Sequence, residues 1–351
     1  MPERTYFEQR NLDNLLKIRS IQAELPSWFS EFLRASETTT SVLTRLNYSY
    51  DTRVFLKYLT AENSNFSDYG LTDITTDMLD KLTLNDLELY VEYLGYYVTR
   101  DDVEHENSER GKARKIASLR SLFKYLYKKE RISSNPAELL SMPKLHDKAI
   151  IRLSPDEVAR LVDAVESGEG LTQQQLKFHK KTVKRDIAII VIFLTTGMRV
   201  SELVGLDISD VNMDDMCLKI TRKGGNQTLL YFDYEAEHAL SEYLEERKSN
   251  ETYDLPPLFL SLQNKRIGVQ TVANLVKKYA KIAAPLKKIT PHKLRSTYGT
   301  MLYQGTGDIY LVADVLGHKD INTTKKHYAA MSEENRKRAA KVVKLRDDDK
   351  E

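Results

Sequence analysis

The chain has 351 residues, 41% of them hydrophobic and 30% charged, and its 53 basic and 51 acidic side chains leave a net charge of only +2. That length suits two domains, and the near-neutral balance excludes a uniformly basic nucleic-acid binder, so any phosphate-binding surface must come from local clustering. One cysteine, Cys217, leaves no disulfide framework and no cysteine-based zinc site. The charged start MPERTYFEQRN has no apolar signal segment and no apolar run approaches a membrane span, so the expectation is a cytoplasmic protein with no membrane partner.

In chain order, residues 6–25 read as a helix with Leu12, Leu15, Leu16 and Ile18 on a loose apolar face. Pro26 opens a second, with Trp28, Phe29, Phe32 and Leu33 at helical spacing. Residues 36–44 are rich in Ser and Thr and read as a loop, followed by helices near 45–62 and over 86–99. The stretch from Lys112 to Arg131 is the most informative of this half. Ile116, Leu119, Leu122, Phe123 and Leu126 face a core. Lys112, Arg114, Lys115, Arg120, Lys124 and Lys128 fill much of the rest, with Glu130 the one opposing charge. A face of nearly one sign is an electrostatic footprint for phosphates, although a merely soluble basic face reads the same way. Residues 141–153, with Pro143, mixed charge and no stripe, read as a linker after a four- or five-helix domain over 1–140.

The second domain, 154–351, opens on Ser154-Pro155-Asp156-Glu157, a helix start with a Ser cap, Pro at the first position and Glu three residues on. A polar loop is expected over 167–182, then an apolar helix from Lys184 to Thr195 that Gly197 breaks. Arg199 follows at the start of a short helix, with Glu202 on the same face; alone, that is an ordinary ion pair. CLKIT and QTLLYF alternate as strands around Arg222-Lys223-Gly224-Gly225-Asn226, a hairpin signal that puts Lys223 at or near the tip. A mobile lysine there can protonate a leaving oxygen, or be only a solvated turn residue. The helix over 233–248 reads as solvent-facing and residues 258–261 as a short strand. The helix over 269–283 carries Lys277, Lys278 and Lys281, a second basic cluster that runs toward His292. A last helix is expected over 332–345.

Residues 290–331 gather His292 and Arg295 three residues apart, Gly317-His318 after an apolar run, and Tyr328 beyond a Thr-Thr pair. An arginine fork fits two phosphate oxygens, histidine exchanges a proton near neutral pH, and tyrosine is a covalent nucleophile. Any of them alone has a structural explanation; the 20 tyrosines of the chain make one tyrosine uninformative by itself.

Arg199, Lys223, His292-Lys-Leu-Arg295, Leu316-Gly-His318 and Tyr328, with TGMRVSEL, RKGG and LGHKDINTT around them, occur in one order in one domain. This pattern closely resembles the tyrosine recombinase (integrase) family, especially the Xer recombinases, over about residues 150–335. The N-terminal part resembles the family's helical core-binding domain, and the extended start LPSWFSEFLRA resembles the single-protein Xer recombinases of some Gram-positive bacteria. The resemblance implies a mainly α fold with a small β-hairpin or sheet in the catalytic domain, and two domains that clamp duplex DNA. It implies Tyr328 as nucleophile, Arg199 and Arg295 on the non-bridging oxygens, Lys223 as acid, His292 and His318 on the phosphate, and Glu202 in support. It also implies no cofactor, a double-stranded recombination site as partner, and a homo-tetramer on two DNA sites closed by helix 332–345. Chromosome dimer resolution is the expected role, with integration or excision of a phage or transposon as the alternative. A type IB topoisomerase, a metal-dependent nuclease built on His292, His318, His327 and Asp320, and a non-catalytic DNA-binding scaffold are further readings.

Overall fold

The computed structural model describes residues 4–98, 102–145, 150–222, 225–250, 252–318, 320–322 and 324. The chain divides into two compact units, Met1–Lys148 and Ala149–Glu351, so the division falls within 141–153. Both are mainly helical, and the described strands form small antiparallel sheets. No described helix is long and apolar enough to cross a membrane.

The first unit contains α1 (Tyr6–Gln22), α2 (Ser27–Ala35), α3 (Val42–Glu62), α4 (Thr76–Asp80), α5 (Leu84–Tyr93), β1 (Tyr96–Val98), β2 (Glu104–Glu106), α6 (Glu109–Lys128) and α7 (Pro136–Leu139). Thr5, Ser41, Thr83 and Ser108 each accept a backbone N–H at a helix start, which satisfies donors that a first turn leaves open. The core joins Phe29 and Phe32 of α2, Phe55 and Leu59 of α3 and Tyr90 of α5 to Ile116, Leu122, Phe123 and Leu126 of α6. The helix expected over 86–99 ends instead at Tyr93. Gly95 and the β-prone Tyr96-Tyr97-Val98 turn the chain into a hairpin, with Tyr97 opposite His105 and stacked on it.

The second unit contains α8 (Pro155–Ser167), α9 (Gln173–His179), α10 (Val183–Thr196), α11 (Val200–Gly205), β3 (Val211–Asn212), β4 (Cys217–Thr221), β5 (Gln227–Tyr231), α12 (Tyr234–Ser249), α13 (Val269–Ala283), α14 (Pro291–Thr306) and α15 (Ile309–Leu316). The apolar α10 is its centre. Ile189, Ile190, Ile192 and Phe193 are buried, with α8, α12 and α14 packed around the helix. The strands run antiparallel in the order β3-β4-β5, with Thr221 opposite Gln227 at the hairpin end.

Three expectations are corrected here. The polar loop over 167–182 holds α9, because Thr172 and Gln175 form a reciprocal cap that fixes a helix start in a polar sequence. The helix α12 is not solvent-facing throughout: Ala236, Leu240, Tyr243 and Leu244 are buried. Residues 258–261 form no strand. Arg247 donates to Pro257 O at 2.5 Å and Leu258 O at 3.1 Å, and Arg185 to Leu260 O at 2.8 Å, so side chains take these carbonyls and only the isolated bridges Asp207–Pro257 and Leu260–Arg266 form.

Two contacts fix where the chain enters this unit. Leu153 N–H donates to Thr297 Oγ1 of α14 at 3.0 Å, and Lys287 Nζ donates to Arg152 O at 2.9 Å. Lys287 also holds Glu157 at 2.5 Å, at the start of α8. The helix expected over 332–345 lies outside the described residues.

Candidate active site

The site is built where α10 stops. Gly197 ends α10 in the left-handed conformation, at φ 61°. A Cβ at this residue would collide with the ring of Tyr298, so glycine is required twice over. Two residues later Arg199 caps α11. Its N–H donates to Glu202 Oε2 at 2.7 Å and its Nη1 to Glu202 Oε1 at 2.8 Å. One buried carboxylate thus holds both the backbone and the guanidinium of Arg199, whose side chain stays partly exposed.

Arg295 approaches from the first turns of α14. It is 4% exposed, and it donates to Gly197 O at 2.7 Å and to Leu316 O. Arg199 Nη2 donates to the next carbonyl, Gly317 O, at 3.2 Å. From the end of β4, Arg222 reaches Val315 O at 2.9 Å and Asp314 O at 3.4 Å. Three guanidiniums therefore converge on four consecutive carbonyls at the C-terminus of α15. Those carbonyls carry the partial negative charge of the helix end, and Asp314 O also accepts the Gly317 N–H at 2.8 Å.

His318 follows directly. Its backbone N–H donates to Ala313 O at 2.9 Å, and its Nδ1 lies 2.8 Å from Thr324 Oγ1. Thr324 is fully buried, so the imidazole is held from behind. His292, at the second position of α14 and one turn before Arg295, is exposed. Arg199, Arg295 and His318 are thus brought together, with Glu202 behind Arg199. Lys223 and Tyr328 lie outside the described residues.

The basic residues divide by environment. Lys124 and Lys128 of α6 and Lys277 and Lys281 of α13 are exposed. Lys112 pairs with Glu109 at 3.3 Å on its own helix. Lys115 differs from the expectation of a solvated cation. It is buried 3.7 Å from Asp51, and burial draws its pKa down. Arg114, half-exposed, reaches the same carboxylate at 2.5 Å; burial still raises the pKa of Asp51 against the pull of both cations. Arg120 is occupied by Ala137 O, Glu138 O and Leu140 O, where it ties α7 to α6. Lys278 pairs with buried Asp186 at 3.4 Å, and desolvation lowers its pKa. Tyr279 OH donates to that aspartate at 3.0 Å.

Residues 151–335 match the family described as the phage integrase family. The chain belongs to that family. A tyrosine recombinase XerC of Caldanaerobacter subterraneus subsp. tengcongensis is 34% identical over 319 residues, 88% of this chain and 83% of that protein. A tyrosine recombinase XerC of Natranaerobius thermophilus is 31% identical over 286 residues, 77% of this chain and 91% of that protein. In solved structures the fold recurs in the XerH site-specific recombinase bound to a palindromic difH substrate, with a TM-score of 0.61 and 21% identity over 86% of this chain and 80% of that one. This family member is a tyrosine recombinase, an enzyme that exchanges DNA strands.

Sequence reasoning overlooked two polar partners of this recombinase's site. Thr324 was visible only as part of LGHKDINTT, and Arg222 only as half of a hairpin signal. Arg222 meets its acceptors 92 and 93 residues later in the chain, a pairing that no local pattern encodes.

Proposed function

We propose that this recombinase resolves chromosome dimers by Xer-type exchange at a duplex DNA site in the cytoplasm, through a 3′-phosphotyrosyl link to Tyr328. The observation that carries the reading is the convergence of Arg199, Arg295 and His318 on one helix end, in a chain similar over most of its length to XerC proteins. Arg199 and Arg295 hold the two non-bridging oxygens of the scissile phosphate and stabilise the charge that grows on them. The Tyr328 oxygen attacks phosphorus. A free phenol has a pKa of about 10, so the surrounding cations favour its phenolate, and His318 or His292 takes the proton. The P–O5′ bond breaks, and the departing 5′ oxygen receives a proton from Lys223. The 5′-hydroxyl of a partner strand then attacks the phosphotyrosine, restores the diester and releases the phenol. The ester conserves the bond energy throughout. Four copies on two DNA sites, closed by the helix over 332–345, complete the exchange. Lys124, Lys128, Lys277 and Lys281, with half-exposed Arg114, contact phosphates.

A DNA substrate nicked beside the cleavage point traps the covalent intermediate. The native enzyme forms a protein–DNA adduct and Tyr328→Phe forms none; an adduct with Tyr328→Phe overturns the proposal. Arg199→Ala loses cleavage by at least about a hundredfold while it keeps site binding. Mapping the bound sites in cells separates the roles. A site near the replication terminus supports dimer resolution, and a site at the end of a mobile element assigns the enzyme to that element.

A further inference from the structure

The backbone of Arg222 forms the base of the hairpin. Its N–H donates to Asn226 O at 2.8 Å, and its carbonyl accepts from Gly225 N–H at 3.1 Å. Its side chain leaves the hairpin and lies on Gly317, which has no side chain to obstruct it. A Cβ at Gly317 would collide with the guanidinium itself. Nη1 and Nη2 then take separate acceptors, Asp314 O and Val315 O. The next two carbonyls of the same helix end are those held by Arg295 and Arg199, and the residue after them is His318. A fork on two acceptors fixes direction as well as position, which a single ammonium cannot do. The next residue in the chain is Lys223.

We propose that Arg222 is a positioning residue that fixes the hairpin to the C-terminus of α15, and so aligns Lys223 with His318 and the two phosphate-binding arginines. The inference rests on the reading of Lys223 as the acid that protonates the 5′ oxygen. A displacement of about 1 Å at a reacting group costs up to a hundredfold in rate. Arg222 is thereby assigned a share of the proton-transfer step without touching the DNA.

The test uses the full-length enzyme and two nicked substrates that differ in one atom, with oxygen or sulfur at the 5′ bridging position. With sulfur the P–S bond breaks and a thiolate leaves without a proton, so the acid is dispensable. Arg222→Ala slows adduct formation roughly ten- to a hundredfold on the oxygen substrate and less than about threefold on the sulfur substrate. A near-normal rate on sulfur also shows that the variant is folded. Arg222→Lys keeps the charge, loses the fork and follows Arg222→Ala. Adding Arg222→Ala to Lys223→Ala produces no further loss on the oxygen substrate, because both act on one step. Arg199→Ala is slow on both substrates. Equal loss on both by Arg222→Ala makes Arg222 a phosphate contact or a folding residue, and overturns the inference while the reading of the site stands. Absence of an adduct from the native enzyme on either substrate overturns that reading itself.

Discussion

Thr324 supports His318, one of the residues of the proposed chemistry. Its hydroxyl lies 2.8 Å from His318 Nδ1 and is fully buried, so the ring has one orientation supplied from behind. Thr324→Val keeps the shape and removes the hydroxyl. Adduct formation is expected to fall about tenfold with site binding unchanged; an unaltered rate shows that the ring is held by other means. Arg199, Arg295 and His318, which the fold brings together, stood out in the sequence because their side-chain types are unusual together and occur in one order in one domain. Their supports did not. Thr324 is a common residue, and Arg222 finds its carbonyls more than ninety residues away, where only the folded backbone brings them near. The same limit applies to Lys115 and Lys278. Each is a lysine in a basic run, and each faces a buried carboxylate from another helix, Asp51 of α3 and Asp186 of α10.

At the scale of elements, capping chemistry decides both what could be read and how stability responds to pH. The start of α8 was legible because Ser154 and Glu157 form a reciprocal cap, with Ser154 N–H donating to Glu157 Oε2 at 2.7 Å. The equivalent pair Thr172 and Gln175 was not read, since only Leu176 and Phe178 follow it in a short helix, too few to mark a helical stripe. Glu157 also accepts from Lys287, and this bond, the largest cause, lowers its pKa below the ordinary 4.5. A carboxyl whose folded pKa is depressed contributes stability above its unfolded pKa and loses it as pH falls through the folded value. Glu157→Gln keeps the cap geometry and removes the charge. The native protein should therefore be more stable than the variant at neutral pH, by about 1 kcal/mol or less for a partly exposed pair, read as a higher unfolding temperature. That gap should close as pH drops below 4.5. A gap that persists in acid shows that packing, not charge, carries the contact.

Across the whole molecule, the near-zero net charge makes location decisive for DNA binding. Lys124 and Lys128 are exposed on α6, whereas Lys115 on the same helix faces Asp51. Lys124→Gln and Lys128→Gln should each weaken binding and reduce the slope of log affinity against log salt by about one. Lys115→Ala should instead leave Asp51 buried beside one cation fewer and lower the unfolding temperature of the first unit. If the salt slope falls with Lys115→Ala and not with Lys124→Gln, the assignment of the basic face is wrong. That the chain forms two mainly helical units was legible from length and from the patternless stretch over 141–153. Which lysines belong to the surface was not, because periodicity alone does not tell a solvated cation from one paired across the core. The entry of the chain into its second unit has a mechanical side. Leu153 is tied to Thr297, two residues beyond Arg295 on α14. A pull on the chain ahead of Leu153 is therefore delivered to α14, the helix that carries Arg295, so tension there would reach a residue proposed to hold the phosphate.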